Sequence, residues 1–359
     1  MKKIPKTLQT IFKLIVSLAF FSVLLSFVRG NELFAVIQKI SWPWFAFSFV
    51  ITLIMLAASC AKWKIILDLK DQPLPLSYRE LLKIYFIGYF FSNILPSTFG
   101  GDVVRSYYAG RIIKNQSYAA VSVFVERFSG VFFLFLLVTA APFFHIELLS
   151  QPYLFIPACI GLTCAIITIW LCLAANPFAI PNKAAGGLFS YLHRLMTRRC
   201  FARLVGPVGY LENLYFKILD RLKKLKSEMQ IAIDAVKNNQ LFLYRLIYLT
   251  LLFYILTWVN VYSAFKAFHV EVDFLAICAL VPAILLVATV PITLLGNLGY
   301  YESVYVLYFL LVGVDGAETL AMSLFLRLKM LSLGGMGFIV YLVYRQKHRL
   351  QLENEEFTA

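Results

Sequence analysis

Charge is scarce in this sequence. Asp, Glu, Lys and Arg make up 14% of its 359 residues, against about 25% in a soluble domain. So few charges cannot cover a water-facing surface, and a separate soluble enzyme domain is excluded. Histidine is rarer still: His145, His193, His269 and His348 are scattered along the chain, which argues against a histidine-built metal centre. The six cysteines include no CxxC pair. They imply no disulfide framework and read as small buried hydrophobes. No P-loop, GxGxxG or HExxH occurs, nor a DxD pair of the sugar-nucleotide transferase kind. No cofactor and no metal are expected.

What is abundant is hydrocarbon. Hydrophobic residues reach 61% and the mean hydropathy is +0.78. A spanning helix needs about 20 apolar residues. Apolar stretches fall at 11–28, 43–61, 81–95, 119–141, 152–175, 241–265, 274–295 and 318–344, with a shorter one at 303–313. The pattern predicts an all-α polytopic membrane protein of about seven to eight transmembrane helices. It forms one membrane domain over 1–359: a first half 8–175, a polar insert 176–240, a second half 241–345 and a short tail 346–359. The first apolar run follows Lys2 and Lys3 and ends at Arg29-Gly30 without an A-x-A-like site. It reads as an uncleaved helix rather than a signal peptide.

Loop charge sets the orientation, because Lys- and Arg-rich loops stay cytoplasmic. Lys2, Lys3, Lys6 and Lys13 put the N-terminus inside. Lys62, Lys64, Lys70 and Arg79 do the same for the 62–80 loop, and Arg345, Lys347 and Arg349 for the C-terminus. The 142–151 loop has no Lys or Arg and falls outside. A multi-pass protein of the cell membrane with both termini cytoplasmic is therefore expected. On this count the 81–118 segment starts and ends inside, and the 274–317 segment starts and ends outside. Each is predicted to enter the bilayer, break and return. The breaks read Pro96-Ser97-Thr98-Phe99-Gly100-Gly101-Asp102 and Pro291-Ile292-Thr293-Leu294-Leu295-Gly296-Asn297. Two interrupted helices of opposite orientation suggest an inverted repeat, in which the breaks mark the substrate site.

The insert carries the longest run of Lys and Arg. In its second half Leu211, Leu214, Ile218, Leu222, Leu225, Met229 and Ala232 recur at helical spacing, predicting an amphipathic helix on the anionic inner leaflet. Docking of a cytoplasmic biosynthetic enzyme is the alternative use. Orientation explains the net charge of +14, so nucleic acid is not an expected partner. The oligomeric state is left open.

Ionisable groups in hydrocarbon are costly, so those present mark polar sites or buried pairs. Asn93, Ser97, Asp102 and Arg105 gather at the first break. Glu126 and Arg127 lie inside the 119–141 helix. Asn297 and Glu302 flank the second break, and Arg327 and Lys329 lie within the last helix. Gly100, Gly101, Gly296 and Gly299 permit the breaks. Exposed amides at a restarted helix favour an anion, and Arg105 and Arg127 add donors suited to a phosphate. Asp102, Glu126 and Glu302 can hold those arginines, or take an amine or a proton. Alternatively the whole set is a group of ion pairs locking the bundle. Tyr107, Tyr108, Tyr300 and Tyr301 read as interface anchors beside the breaks, and Gly334, Gly335 and Gly337 as positions of close helix packing.

The stretch from Asn93 to Arg105, with its Pro96-Ser97-Thr98-Phe99-Gly100-Gly101-Asp102 core, resembles the signature of the lysylphosphatidylglycerol synthase transmembrane family, also called flippase-like domain proteins. Glu126-Arg127 and Gly296-Asn297-Leu298-Gly299-Tyr300-Tyr301-Glu302 resemble two further motifs of that family. The resemblance runs from about residue 8 to 345. It implies a membrane part that moves an aminoacylated phospholipid, here without the synthase half. The function expected is that of a lipid translocase. It would bind an anionic phospholipid or polyprenyl-phosphate headgroup through Asn93, Ser97, Gly100, Gly101, Asp102, Arg105, Glu126, Arg127, Asn297, Gly299, Glu302 and Arg327. An intramembrane transferase, with Asp102 or Glu302 as base, and an accessory subunit of a lipid-biosynthetic enzyme are the alternatives.

Overall fold

The computed structural model describes residues 30–69, 76–94, 100–145, 151–173, 239–290 and 297–358, with isolated positions between 187 and 234. Ten α-helices are described: α1 (Gly30–Gln38), α2 (Trp42–Leu67), α3 (Tyr78–Ile94), α4 (Gly100–Ile112), α5 (Gln116–Ala140), α6 (Pro152–Leu173), α7 (Gln240–Lys266), α8 (Phe274–Ala288), α9 (Tyr300–Leu310) and α10 (Gly316–Thr358). No strand occurs among the described residues. The chain divides into two units, one of Met1–Leu162 with Leu243–Ala359, the other Thr163–Phe242.

Among the described residues five segments are long and apolar enough to cross a membrane: Trp42–Leu67, Gln116–Phe144, Pro152–Leu171, Gln240–Lys266 and Gly316–Tyr344. The protein is an all-α polytopic membrane protein. Its helix ends follow local chemistry. Pro43 opens α2, Asn115 caps α5 by accepting from the Tyr118 amide, and Asp273 caps α8 by accepting from the Leu275 and Ala276 amides.

The remaining apolar helices are short. α3, α4, α8 and α9 have 17, 13, 15 and 11 residues. Their lengths are about 26, 20, 23 and 17 Å, so none alone crosses a hydrocarbon core of about 30 Å. They come as two pairs, α3 with α4 and α8 with α9, each packed across an interruption. Ser97 and the rest of 95–99 lie outside the described residues, as do Gly296 with 291–295, the 11–28 run, and all but Leu214 of the insert's apolar positions. Residues 213–217 are helical and Leu214 is exposed.

Each interrupted pair has its own apolar core. Trp63, Leu67, Leu81, Ile84, Ala109 and Val123 pack around α3 and α4; Phe265, Ile277, Leu280, Ile284, Phe309 and Met322 pack around α8 and α9. α10 serves both, giving Phe325 and Leu326 to the second core and Leu333 to the first. Its glycines explain how it comes so close to α3. A Cβ on Gly334 would stand 2.3 Å from Asn93 Nδ2, and one on Gly337 would stand 2.1 Å from the Phe86 carbonyl oxygen. Gly335 meets nothing within 4 Å, so only two of the three expected packing glycines do that work. α2 also runs further than its apolar stretch suggests. It continues to Leu67, and Lys62, which reads as a loop charge in the sequence, is buried within it.

Candidate functional site

The first charge cluster forms where α4 restarts the chain beside α3. A Cβ on Gly101 would lie 2.2 Å from the Gly88 carbonyl oxygen and 2.0 Å from Ser92 Oγ. Only glycine allows this crossing. Gly88 in turn leaves room for Arg105, whose Cγ would sit 2.5 Å from a Cβ there. Arg105 thus passes under α3 into the core, where it is 1% exposed.

Its guanidinium is held on several sides. Arg105 Nη2 donates to Asp102 Oδ1 at 2.7 Å and to Glu126 Oε2 at 3.0 Å. Its plane lies over Tyr85, 4.2 Å from the ring centroid, and near Trp63 at 5.1 Å, a cation–π arrangement that strengthens as water is removed. Trp63 is fixed by donating from Nε1 to Ser122 Oγ at 3.0 Å. Glu126 also meets the Lys62 ammonium at 3.8 Å and accepts from the Tyr85 hydroxyl at 3.4 Å. Consecutive residues on α5 point about 100° apart, so Glu126 faces inward while Arg127 stays half exposed. Arg127 donates to both oxygens of Asp102 at 3.0–3.2 Å.

Two features of this cluster point to a ligand. Three cations, Lys62, Arg105 and Arg127, face two carboxylates, Asp102 and Glu126, leaving one positive charge in an apolar setting. Arg105 Nη1 is buried without a hydrogen-bond partner among the described residues. A buried donor left unmade costs about 1–3 kcal/mol or more when charged. Both carboxylates are occupied by guanidinium donors, an arrangement whose chemistry suits an anion better than proton abstraction.

The second cluster is closed on itself. Asn297 and Gly299 have φ of 62° and 81°, left-handed values that Asn and Gly tolerate best. This turn aims Asn297 Nδ2 at the carbonyls of Ala288 and Val290, at 2.9 and 3.0 Å. The Tyr300 hydroxyl donates to the Val287 carbonyl at 2.9 Å. The last carbonyls of a helix lack intrahelical partners, and in hydrocarbon such side-chain donors take the place of water. Glu302, fully buried, accepts from the Gly299 amide at 2.8 Å and from Arg327 Nε at 2.5 Å. Arg327 Nη2 also donates to the Asn297 carbonyl at 3.3 Å, and its guanidinium lies 5.3 Å from the Tyr301 ring. Among the described residues one cation meets one carboxylate, and no charge is left over.

The expected site residues therefore fall into two groups rather than one. Gly101, Asp102, Arg105, Glu126 and Arg127 belong to the first, with Gly100 opening α4 beside them. Asn297, Gly299, Glu302 and Arg327 belong to the second. Asn93 joins neither directly; its Nδ2 donates to the Met330 carbonyl of α10 at 3.0 Å. A separate cleft of about 630 Å³ is lined by His145, His269, Glu271, Asp273 and Glu318 among others, and by none of the cluster residues. The sequence reading missed Gly88, Tyr85, Trp63 and the inward role of Lys62. Lys62 was legible in principle, because Trp63, Ile66 and Leu67 continue the apolar face of α2 beyond it.

A family model described as the lysylphosphatidylglycerol synthase TM region matches residues 10–333. No curated protein and no solved structure matches the chain.

Proposed function

The chain belongs to the lysylphosphatidylglycerol synthase TM-region family, and on that premise we propose that it is a membrane lipid translocase whose first helix break binds an anionic headgroup. The headgroup is that of a phospholipid or of a polyprenyl phosphate, with its tails left in the bilayer. The observation that carries this reading is the buried Nη1 of Arg105, unpartnered among the described residues, in a cluster whose described side chains leave one surplus positive charge. A phosphate oxygen there would satisfy the donor and neutralise the cluster together. The second cluster, whose described residues pair one cation with one carboxylate, is the less suited of the two to an anion. Loop charge puts both termini on the cytoplasmic side of the cell membrane.

The test is native mass spectrometry of the gently solubilised protein, wild type beside Arg105→Ala, with thermal unfolding as the check on folding. The wild type is expected to carry a polar, phosphate-bearing lipid that the folded variant has lost. A wild type without any specific lipid, or a folded Arg105→Ala that still moves lipid in liposomes, would overturn the reading.

A further inference from the structure

Every other buried cation described in the core has a carboxylate beside it. Arg105 and Lys62 meet Glu126, and Arg327 meets Glu302. Lys329, on α10, is the exception. It is 2% exposed, and its ammonium donates to Ser48 Oγ of α2 and Asn260 Oδ1 of α7, both at 2.6 Å. The Phe325 ring centroid lies 4.5 Å away. The Ser48 hydroxyl donates to Asn260 Oδ1 at 2.8 Å, and the Thr52 hydroxyl approaches the same oxygen at 3.5 Å. Thus α2 presents Ser48 and Thr52, α7 presents Asn260, and α10 itself presents Phe325. None of these groups is charged or titrates in the ordinary range. The neighbouring cation on α10, Arg327, is tied to Glu302 of α9.

This setting suits a group that changes its charge. A carboxylate partner would hold a lysine firmly in its charged form, whereas neutral acceptors hold it there less strongly. The hydroxyl of Ser48 is a rotor that donates or accepts. With the ammonium present it accepts from Lys329 and donates to Asn260, as observed. With a neutral amine it can turn and donate to the nitrogen lone pair, while an amine N–H still reaches Asn260. The junction stays hydrogen-bonded in both states. An unpaired charge in hydrocarbon is costly, so a dry junction favours the neutral amine and a wetted one the ammonium. α10 also holds both helix breaks, through Arg327 and Met330.

We propose that Lys329, at the junction of α2, α7 and α10, is a proton-binding site, filled in one conformation and vacated in another, so that movement of α10 is linked to proton uptake. The proposal extends the translocase reading to its energy source, and it is tested first without transport. Melting temperatures of the detergent-solubilised full chain are compared for wild type, Lys329→Met and Lys329→Arg from about pH 6 to about pH 10. If the folded chain sheds this proton before the unfolded chain does, stability rises with pH through that window. The wild type should then gain several degrees on Lys329→Met as pH rises. Lys329→Arg, which cannot release a proton, should lack that gain. A gap that stays constant with pH overturns the proposal and makes Lys329 a fixed pin.

Should Lys329→Met not fold, Ser48→Ala keeps the lysine and removes the hydroxyl that serves both states. Its pH transition is expected to shift from that of wild type, and an unmoved transition would overturn the proposal. Liposomes of phosphatidylglycerol and phosphatidylethanolamine, with a pH gradient imposed, then test the coupling. If wild type moves lipid at a rate that ignores the gradient, coupling fails. If wild type moves no lipid, it is the translocase reading that fails, and the titration result stands by itself.

Discussion

Arg327 and Met330 stand three residues apart on α10, and each holds a different helix break. Arg327 donates to Glu302 and to the Asn297 carbonyl; the Met330 carbonyl accepts from Asn93. Three residues are one turn on one face of the helix, about 4.5 Å of rise. The ends of two interrupted helix pairs thus meet the same turn of a third element. A shift of α10 along or about its axis is felt beside both breaks, which would give the proposed translocase a mechanical link between its two halves.

The Arg327–Glu302 pair should be strongly coupled. Removing one partner leaves a fully buried charge behind, which costs about 3–5 kcal/mol. Arg327→Met is therefore expected to destabilise the protein by about that amount. Arg327→Met with Glu302→Gln should recover part of the loss, because no bare charge remains. A double-mutant cycle on unfolding free energy measures this. A double variant no better than the worse single variant would show that the pair is not coupled.

Two glycines of α10, Gly335 and Gly337, should respond with opposite signs. Gly337→Ala drives a Cβ to 2.1 Å from the Phe86 carbonyl oxygen, so α3 and α10 must separate. Such overpacking costs about 1–3 kcal/mol. Gly335→Ala meets open space and should gain up to about 1 kcal/mol from helix propensity. Thermal unfolding of the two variants, measured side by side in one detergent, checks the contrast.

The sequence was most legible where the bilayer imposes a long apolar run. The spans at 43–61, 119–141, 152–175, 241–265 and 318–344 correspond to α2, α5, α6, α7 and α10, the described helices with apolar runs long enough to cross. Of the four short helices, α3 and α9 were visible as short apolar runs at 81–95 and 303–313, whereas α4 lay in the polar stretch after the first break and α8 within a longer apolar run at 274–295. The charged residues were legible as candidates because hydrocarbon makes each of them conspicuous. Their partners were not. Nothing in the spacing of Arg105 and Glu126, 21 residues apart, or of Lys329 and Ser48, 281 apart, fixes which ends of which helices meet. Tyr85, Trp63, Ser48 and Asn260 escaped for a related reason. They are ordinary membrane residues until a buried cation is set against them. Gly88 matters only because Arg105 passes beneath it.

Asn297 should separate backbone strain from side-chain bonding. Asn297→Gly keeps the left-handed φ but deletes both bonds to the end of α8. Unsatisfied buried carbonyls cost about 1–3 kcal/mol each, so a loss of about 2–6 kcal/mol is expected for the two. Asn297→Ala loses the same bonds and adds about 1–2 kcal/mol for a Cβ in the left-handed region. Unfolding free energies should therefore fall in the order wild type, Gly, Ala. If Gly and Ala are equal, φ is not the constraint that the turn implies.

The two arginines of the first cluster should differ in what a lysine can replace. Arg105 is buried, spends Nη2 on two carboxylates and keeps Nη1 unpartnered among the described residues. Arg127 is half exposed and spends its Nε and Nη2 on Asp102. A lysine preserves charge but has no fork, so it can hold the carboxylates or the ligand, not both in the same geometry. Arg105→Lys should therefore weaken retention of a phosphate-bearing lipid by about tenfold or more, equivalent to about 1.4 kcal/mol. Arg127→Lys replaces a partly solvated pair of the kind worth about 0–1 kcal/mol and should change retention far less. Titrating phosphatidylglycerol into micelles of each variant, with bound lipid counted by native mass spectrometry, gives the comparison directly. Equal retention in the two variants would mean that the surplus charge, not the free guanidinium nitrogen, governs binding. The headgroup would then sit over the cluster's exposed side, beside Arg127, instead of against Arg105.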